Sequence, residues 1–482
     1  MEEPFKIIGR VPEIQKLNKI LEASEAEFLS VYGRRRVGKT FLIREFFKNQ
    51  LVFDFTGTKD AQLQSQLNNF FEEYLKKTKG SLKTQTPKTW QEAFSYLAHY
   101  LQNLEHDDSK MIVFIDEMPW LDTPKSGFVL ALEYFWNQHL SKMNHVILIA
   151  CGSAASWIRK NLINARGGLY NRVTQRMRLA PFNLSETEKY LQSRNIQLPR
   201  YQIVELFMAL GGIPFYLKYL ESGKSSAQLI DALFFWKDAP LQEEYKQLYY
   251  SLFKNAENHE RIVALLASKP QGLTRQEIQQ QSKIANGTLS RTLEELVECD
   301  FVGVFQPFDK KKKDSIYKLI DNFSLFYSKF LKNQTFLNQG LWLALSKEPS
   351  YAAWSGYAFE NVCFQHLPQI LKALGIDGIN INACSWKTKD GNGLGGTQID
   401  LLIDRADKAI SICEAKFSSS NYLVTKQYAN HLRMRTSIFQ HTTQTKKAIF
   451  NTLITPFLAI RNEYYLDQFQ QEVNLDAFFE AG

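Results

Sequence analysis

The sequence has few cysteines and no long apolar run, and each shortage argues against a class of protein. Five of its 482 residues are cysteines, and no two of them form a C-x-x-C pair. This count argues against a disulfide framework and a zinc site, and favours reduced thiols. The first residues, MEEPFK, lack the apolar core of a secretory signal, and no apolar stretch is long enough to cross a bilayer. We therefore expect a cytoplasmic protein with no membrane partner.

What the chain does have is length and a mild basic excess. With 482 residues it is too long for one hydrophobic core, and its length predicts about three domains. Its composition, 44% hydrophobic and 22% charged residues, is that of an ordinary soluble protein. The formal net charge of +8 is compatible with contact to a polyanion.

A glycine- and lysine-containing loop follows an early apolar strand at residues 28–32, and a helical pattern follows the loop. Glycines let such a loop turn its N–H groups towards phosphate, lysine reaches the β- and γ-phosphates, and the threonine hydroxyl ligates Mg²⁺. The alternative is a glycine turn before a basic helix, which does not explain why strand, loop and Lys-Thr stand in register. The predicted nucleotide contacts are Gly33, Arg34, Arg35, Arg36, Val37, Gly38, Lys39 and Thr40.

Two further apolar runs end in polar residues. The run 111–115 ends in Asp116 and Glu117, and we predict that Asp116 joins Thr40 in holding Mg²⁺ while Glu117 polarises the attacking water. The run 146–150 leads through Cys-Gly to Ser153. Ser153 is placed either to sense the γ-phosphate or simply to cap a helix, and both readings stay open.

Several motifs together resemble the AAA-type ATPases of the archaeal-ATPase group. They are IIGRVPEIQKL (7–17), YGRRRVGKT, VFIDE, ACGS, Leu169-Tyr170-Asn171-Arg172 and GGIPFYL (211–217). The resemblance implies ATP with Mg²⁺ as cofactors, possible homo-oligomers, a helical lid, a winged helix and a nuclease-like tail. The family pattern before its finger arginine is closer to Pro-Leu-Tyr-Gly-Arg. Arg172 is therefore either an arginine finger that stabilises transition-state charge or a surface residue.

The middle of the chain predicts helices and then a winged helix-turn-helix. Helical spacing continues to about residue 250, a capping box stands at 274–277, and a helix begins at Asn286. Strands at 301–306 and 315–320 are joined by PFDKKKKD. DNA is the expected partner, although three glutamates on the last helix count against it and a spacer role stays open. The predicted DNA contacts are Thr288, Ser290, Arg291 and the lysines 310–313.

The stretch QIDLLIDRADKAISICEAKF (398–417) places charges at the ends of apolar runs. A helix at 352–374, strands at 380–387, 397–404 and 409–417, a helix at 423–435 and a strand at 448–453 resemble the core of PD-(D/E)xK nucleases. In those positions Asp400, Glu414 and the Ala415 carbonyl would bind Mg²⁺ or Mn²⁺, Glu360 would add a carboxylate, and Lys416 would orient water. The alternative is a structural ion pair of Lys416 with one carboxylate.

The expected fold is an α/β multidomain protein. Its parts are a P-loop parallel-sheet ATPase core (1–180), a helical lid (181–250), a winged helix-turn-helix (251–325), a helical linker (326–350) and a restriction-endonuclease-like α/β domain (351–482). We expect a Mg²⁺-dependent ATPase that regulates DNA processing by its own nuclease-like domain. The rivals are an ATP-dependent switch that binds DNA or protein through an inactive nuclease fold, and an ATPase whose tail binds another protein.

Overall fold

The chain divides after Pro181 into two units. The computed structural model describes residues 7–79, 85–105, 109–164, 169–253, 255–334, 338–388 and 396–480, with only the backbone of Lys312. The predicted domain boundaries after residues 250, 325 and 350 all fall inside the second unit. All five cysteines are free and buried. Within the described ranges, no helix is long and apolar enough to cross a membrane.

A five-stranded parallel sheet forms the centre of the first unit, as the continuous apolar runs predict. Its strand order is β2-β3-β4-β1-β5. Strands β3 and β4 are buried along their whole length. The strands are β1 (Glu27–Tyr32), β2 (Leu51–Thr56), β3 (Met111–Asp116), β4 (Val146–Gly152) and β5 (Gln175–Arg178).

In the described part of this unit six α-helices accompany the sheet, and aromatic rings from two of them pack against each other. Phe94 and Phe135 stack with ring centroids 4.8 Å apart, and Trp90 meets Phe128 edge to face at 5.2 Å. Such ring pairs add to the burial of apolar area that drives folding. The helices are α1 (Val11–Leu21), α2 (Lys39–Phe46), α3 (Leu63–Thr78), α4 (Trp90–Gln102), α5 (Phe128–Gln138) and α6 (Ala155–Ile158).

The strand order decides which loops meet. Strand β4 lies between β1 and β3, and Tyr32 at the end of β1 pairs with Gly152 at the end of β4. Because all five strands are parallel, the residues that follow β1, β3 and β4 lie at one edge of the sheet. Strand β4 runs two residues further than predicted, to Gly152, which leaves Ser153 as the first residue beyond it.

The second unit begins with five helices. Capping boxes start two of them, Asn183 with Glu186 and Ser225 with Gln228. The buried Asp231 carboxylate accepts hydrogen bonds from the Trp236 indole and from main-chain N–H groups near residue 340, which fixes α10 to the later helices. The five are α7 (Leu184–Ser193), α8 (Arg200–Leu210), α9 (Pro214–Leu217), α10 (Ser226–Phe234) and α11 (Glu244–Leu252).

Three helices and a small antiparallel sheet follow. The sheet has the order β6-β8-β7, and the predicted capping box of Thr274 and Glu277 starts α13. Both long strands of this sheet are shorter than predicted. The elements are α12 (Ala256–Ala267), β6 (Leu273–Thr274), α13 (Arg275–Ser282), α14 (Asn286–Glu298), β7 (Val302–Phe305) and β8 (Ile316–Leu319), then α15 (Asn322–Phe330) and α16 (Leu341–Leu345).

The last part contains a mixed five-stranded sheet of order β13-β12-β11-β10-β9. Strands β9, β10 and β11 are antiparallel neighbours, whereas β11, β12 and β13 are parallel. The elements are α17 (Pro349–Gln365), α18 (Leu367–Ala373), β9 (Ile381–Thr388), β10 (Thr397–Arg405), β11 (Ala409–Ala415), α19 (Lys426–Thr443), β12 (Ala448–Ile454), α20 (Glu463–Gln468) and β13 (Gln471–Val473).

Three predicted boundaries in this part were wrong. The single helix expected at 352–374 breaks at His366, because Pro368 lies in the first turn of α18 and has no N–H to continue the helix. Strand β11 ends at Ala415, so Lys416 lies beyond the strand, although its N–H still donates to the Ile454 carbonyl at 2.9 Å. Helix α19 begins only after its cap, Thr425, and runs eight residues further than expected.

The β7–β8 loop (residues 306–315) is fixed to the mixed sheet. The Phe308 N–H donates to the Ser385 carbonyl on β9 at 3.0 Å, and the Phe308 ring lies 5.3 Å from that of Phe439 on α19. Since β9 is the last strand of the described sheet, this contact covers part of its open edge. The start of this basic loop is therefore fixed to the mixed sheet through Phe308.

A buried histidine joins α7 to α17. The Leu184 N–H donates to His366 Nε2 at 2.9 Å, and His366 Nδ1 lies 2.8 Å from the Val362 carbonyl. These two partners require a neutral ring with its proton on Nδ1. Burial lowers the pKa of the His366 imidazole to about 4.

This histidine should make stability fall in mild acid. The ordinary pKa of 6.5 applies to the unfolded chain, so the unfolded state binds more protons at any pH between 6.5 and 4. The contribution of His366 to the free energy of unfolding is therefore complete above pH 6.5 and is lost as the pH falls towards 4. Between about pH 7.5 and pH 5 we expect a loss of about 2 kcal/mol from this residue.

Thermal unfolding of wild type, His366→Gln and His441→Gln at both pH values measures this loss. The difference in unfolding free energy between wild type and His366→Gln should shrink by about 2 kcal/mol from pH 7.5 to pH 5, because the other titrating groups are the same in both proteins. His441→Gln is the exposed control. Equal pH dependence in wild type and His366→Gln would contradict the assignment.

Candidate functional site

The phosphate-type loop of the first unit needs its two glycines for different reasons. Gly33 has φ +140°, and a Cβ there would lie 2.3 Å from the Leu179 carbonyl oxygen, so no side chain fits. Gly38 has φ +92° with open space around it, so its backbone conformation alone requires glycine. Gly38 is the N-cap of α2, and helix N-termini favour anions.

Lys39 lies inside this loop and is 5% exposed. Its ammonium donates to the carbonyls of Gly33 at 3.0 Å and Arg34 at 2.8 Å. It also donates to Ser153 Oγ at 3.3 Å. A lysine that touches both the loop and the end of β4 is positioned for a phosphate bound between them.

Thr40 and Asp116, the two predicted Mg²⁺ ligands of this unit, are in contact. Thr40 Oγ1 donates to Asp116 Oδ2 at 2.5 Å, and the Glu117 N–H donates to Asp116 Oδ1 at 2.9 Å. The buried Cys151 thiol also bonds to Asp116, and burial, helped by the Asp116 charge, raises the pKa of that thiol. The contact of Cys151 with this carboxylate was not predicted, because in the sequence Cys151 is only one of five scattered cysteines.

Glu117 is held by Ser153. Ser153 Oγ donates to Glu117 Oε1 at 2.5 Å, and the Ser153 N–H donates to Oε2 at 3.2 Å. Glu117 itself has φ +45°, an uncommon backbone conformation outside glycine. Ser153 is not the cap of α6, since Ala154 occupies that position and no side chain caps the helix.

The remaining predicted residues of the first unit are placed differently. Arg34 is 2% exposed and Val37 1%, so their side chains face the protein, while Arg35 and Arg36 are half-buried. Arg172 lies on an exposed turn, where its N–H donates to the Leu169 carbonyl. The structure therefore joins Lys39, Thr40, Asp116, Glu117 and Ser153 by hydrogen bonds, and it places Arg172 on an exposed turn. Gly168 of the finger-like motif lies outside the described residues.

In the second unit, Glu414 is surrounded by donors. Lys416 Nζ lies 2.9 Å from Oε1, and Arg435 Nη1 lies 2.6 Å from Oε2. The Tyr428 hydroxyl donates to Oε1 as well. The Tyr428 hydroxyl is therefore one of the three groups that hold the Glu414 carboxylate.

The pKa values of the two buried glutamates, Glu414 and Glu360, are shifted in opposite directions. Burial works to raise the pKa of Glu414, but the charges of Arg435 and Lys416 outweigh it and hold that pKa at about 2. Burial and then the charge of Asp400 raise the pKa of Glu360 to about 8, against the opposing charge of Lys318. Glu414 is therefore ionised at neutral pH, as a metal ligand must be, whereas Glu360 is protonated.

Asp400 lies where β10 is irregular. The register of β10 against β9 shifts between Ile399 and Leu402, and such bulges redirect side chains. The Gln398 amide donates to Asp400 Oδ1. In the described residues no three His, Cys, Asp or Glu side chains are grouped to hold a metal ion, so Glu360 does not complete a three-carboxylate site with Asp400 and Glu414. Ala415 is the last residue of β11.

Arg435 and Lys318 are the charged residues here that were not predicted. Arg435 stands seven residues after Tyr428 on α19, so both lie on one helix face, and that spacing could have indicated a shared target. Lys318 is 4% exposed on β8, with its ammonium 5.6 Å from the Phe364 ring centroid on α17. Its place in a strand gave no signal of a contact with a later helix.

Two of the predicted DNA contacts on α14 are already engaged. Arg291 pairs with Glu295 at 2.9 Å, and Ser290 Oγ accepts from Arg275 at 2.8 Å. Thr288 is exposed, as are Lys310, Lys311 and Lys313 in the β7–β8 loop. The side chain of Lys312 lies outside the described residues.

Comparison with known proteins agrees with the first site. A family model described as an ATPase domain predominantly from Archaea matches residues 8–220. An uncharacterised protein of Methanocaldococcus jannaschii is 22% identical over 423 residues, which cover 85% of this chain and 87% of that protein. An uncharacterised ATP-binding protein of the same organism is 38% identical over 45 residues, 9% of this chain and 76% of that protein.

Solved structures show more distant likeness. A Walker-type ATPase of Pyrococcus abyssi is 20% identical with a TM-score of 0.46, over 67% of this chain and 96% of that one. The ORC2 protein of Aeropyrum pernix, in ADPNP and ADP complexes, is 14% identical with a TM-score of 0.40, over 67% and 94%. The family match and the loop geometry identify residues 8–220 as a nucleotide-binding ATPase domain, and the chain as an ATPase.

Substitution of Glu117 tests the water-activating role. Glu117→Gln should bind ATP about as tightly as wild type but hydrolyse it at least about a hundredfold more slowly, because an amide cannot take a proton from water. Equilibrium binding of a fluorescent ATP analogue and phosphate release measure the two effects. Lys39→Ala, which removes the phosphate-binding cation, should lose binding itself. Equal hydrolysis by wild type and Glu117→Gln would remove Glu117 from this role.

Proposed function

We propose that this chain is a Mg²⁺-dependent ATPase whose nucleotide state regulates the processing of DNA by its C-terminal part. The ATPase domain is the established half of this statement. The observation that carries the other half is the arrangement of Asp400 and Glu414 on two paired strands, with Lys416 directly after the second.

In the ATP site, the chain's own residues divide the work. Thr40 and Asp116 offer a hydroxyl and a carboxylate oxygen side by side, the ligand types that a hard cation prefers, and they would hold Mg²⁺. The bound ion would neutralise phosphate charge. Lys39 exchanges its bonds to the Gly33 and Arg34 carbonyls for bonds to phosphate oxygens.

Glu117 then accepts a proton from the attacking water. Ser153 forms hydrogen bonds with both Glu117 and Lys39. When Lys39 moves to a bound phosphate, Ser153 loses one of these two bonds, and its contact with Glu117 changes as a result. This contact supports the phosphate-sensing reading of Ser153. The exposed Arg172 suits a finger that completes the site of a second copy in a homo-oligomer.

We assign elements α12 to β8 to a winged helix-turn-helix that contacts DNA. Helix, short strand, two helices and a two-stranded hairpin occur in the required order. Phosphate contacts are proposed for Thr288 and the exposed lysines of the β7–β8 loop. Base reading by Arg291 and Ser290 is less favoured, because both already have partners.

We assign the part from α17 onwards to a PD-(D/E)xK nuclease-like domain. Asp400, Glu414 and the Ala415 carbonyl would hold Mg²⁺ or Mn²⁺, which would supply the charge that stabilises a pentacoordinate phosphate. Lys416 would orient the attacking water. To serve as a ligand, Glu414 must exchange one of its present donors, because Arg435, Lys416 and Tyr428 occupy its two oxygens.

The same occupation of Glu414 favours a second candidate. A carboxylate fixed by Arg435, Lys416 and Tyr428 can be a structural ion cluster. The domain would then be an inactive nuclease fold, and the protein an ATP-dependent switch that binds DNA or another protein without cutting. Incubation with plasmid, linear and branched DNA, with and without ATP and Mn²⁺, distinguishes the candidates.

The lysines of the β7–β8 loop can be tested by salt dependence. Replacing Lys310, Lys311 and Lys313 with serine should reduce the slope of log K against log salt by about 1 for each lysine that contacts phosphate. A matched control replaces the exposed lysines 189, 237 and 446. DNA titrations at several salt concentrations measure both. An unchanged slope in the loop variant would mean that the loop does not touch phosphate.

Cleavage and stability should separate at the C-terminal site. Lys416→Ala should abolish Mn²⁺-dependent cleavage but change stability by only about 1 kcal/mol, because its side chain is 35% exposed and Arg435 remains on Glu414. Arg435→Ala should destabilise strongly, by about 3–5 kcal/mol, since it leaves a buried carboxylate without its nearest cation.

Asp400→Asn should also lose cleavage. Asp404→Asn is its control, because Asp404 lies on the same strand but pairs with Lys447. Cleavage assays run beside thermal unfolding give both readouts. Wild type that cuts no DNA form under any of these conditions would establish the non-cleaving candidate instead.

A further inference from the structure

The segment around Arg10 belongs to no step of the mechanism above. Arg10 is 5% exposed and occupies the N-cap position of α1 with φ +57°. Glu13 is its ion-pair partner on α1, at 3.8 Å. An arginine this deeply buried, in an uncommon backbone conformation, must gain enough from its contacts to offset both costs.

Two of those contacts are with main-chain oxygens far away in sequence. Arg10 Nη2 donates to the Val37 carbonyl at 3.0 Å, and Nη1 donates to the Ala180 carbonyl at 2.7 Å. Val37 is the residue before Gly38 in the phosphate loop, and Ala180 lies two residues beyond β5. One planar guanidinium therefore joins the loop to the end of the sheet.

The contact with Val37 determines how one peptide of the loop is turned. In a trans peptide the carbonyl oxygen and the following N–H point in opposite directions. Holding the Val37 oxygen towards Arg10 therefore turns the Gly38 N–H to the other side. Gly38 lacks the side chain that would otherwise restrict this peptide, so an outside contact is needed to keep one orientation.

We propose that Arg10 is a positioning residue of the ATPase: it holds the Val37–Gly38 peptide so that the Gly38 N–H faces the nucleotide phosphates. The other end of the loop is already fixed, because Gly33 packs against the Leu179 carbonyl. Arg10 fixes the second end by its bond to Ala180, the next residue along. Both ends of the loop are therefore held against residues 179–180, one directly through Gly33 and the other through Arg10.

The test compares phosphate-dependent binding in variants that keep the fold. Arg10→Lys retains the charge but has one compact ammonium in place of the two-pronged guanidinium, so it cannot hold both oxygens in the same geometry. Its affinity for ADP and for ATP should fall about tenfold, the value of one hydrogen bond to a charged group, while its affinity for adenosine should not change. Arg10→Gln should behave in the same way.

Lys16→Ala is the matched control. Lys16 Nζ donates to the Arg176 carbonyl on β5 at 2.5 Å, so this variant removes another α1-to-β5 bond without touching the loop. It should leave ADP affinity unchanged. Calorimetric titration with ADP, ATP and adenosine, and melting temperatures for each variant, provide the measurements.

A phosphate-specific loss in Arg10→Lys, absent from Lys16→Ala, supports the proposal. It is overturned if a folded Arg10→Lys binds ADP like wild type, if adenosine affinity falls equally, or if Lys16→Ala shows the same loss. If Arg10→Gln does not fold, Arg10→Lys alone decides between these outcomes.

Discussion

A carboxylate that leaves water must be met by donors or cations, and this requirement organises both sites of the molecule. Asp116 at the end of β3 is met by the Thr40 hydroxyl, which fixes the start of α2 against the sheet. Glu414 at the end of β11 is met by Arg435, which fixes α19 against the mixed sheet. In both places the compensating group comes from a helix, so each contact joins a helix to a strand end.

The two clusters differ in what remains free for chemistry. Around Asp116 the hydrogen-bond partners are uncharged, namely the Thr40 hydroxyl, the Glu117 N–H group and the Cys151 thiol, and a cation can replace or join them at little cost. Around Glu414 two partners are full positive charges, and a divalent ion has to compete with them. This contrast explains why the first site fits nucleotide chemistry directly, whereas the second supports both a cleaving and a non-cleaving reading.

The features predicted best from the sequence are those that depend on residues close together in the chain. Buried strands, the loop between β1 and α2, and the capping box at Thr274 depend on residues close together in the chain, and the structure has them within one or two residues. The site residues at strand ends followed from the parallel sheet, whose strand ends share one edge. For Arg435 the spacing from Tyr428 could indicate a shared helix face but not that Glu414 is its partner, and nothing local indicates the contact of Arg10 with Val37, because only the tertiary fold brings these atoms together.

The mixed sheet also depends on a residue from outside its own stretch of sequence. Strand β9 is its last described strand, and Phe308 covers that edge with a main-chain bond to Ser385 and a ring beside Phe439. A fragment that starts at the predicted boundary, residue 351, would lack this cover. It would present an unpaired strand edge next to an apolar gap, the combination that promotes association between copies. The C-terminal part therefore does not form a self-contained unit from residue 351 onwards. If it is fused to another protein, by recombination or by cloning, the fused segment has to include the β7–β8 loop.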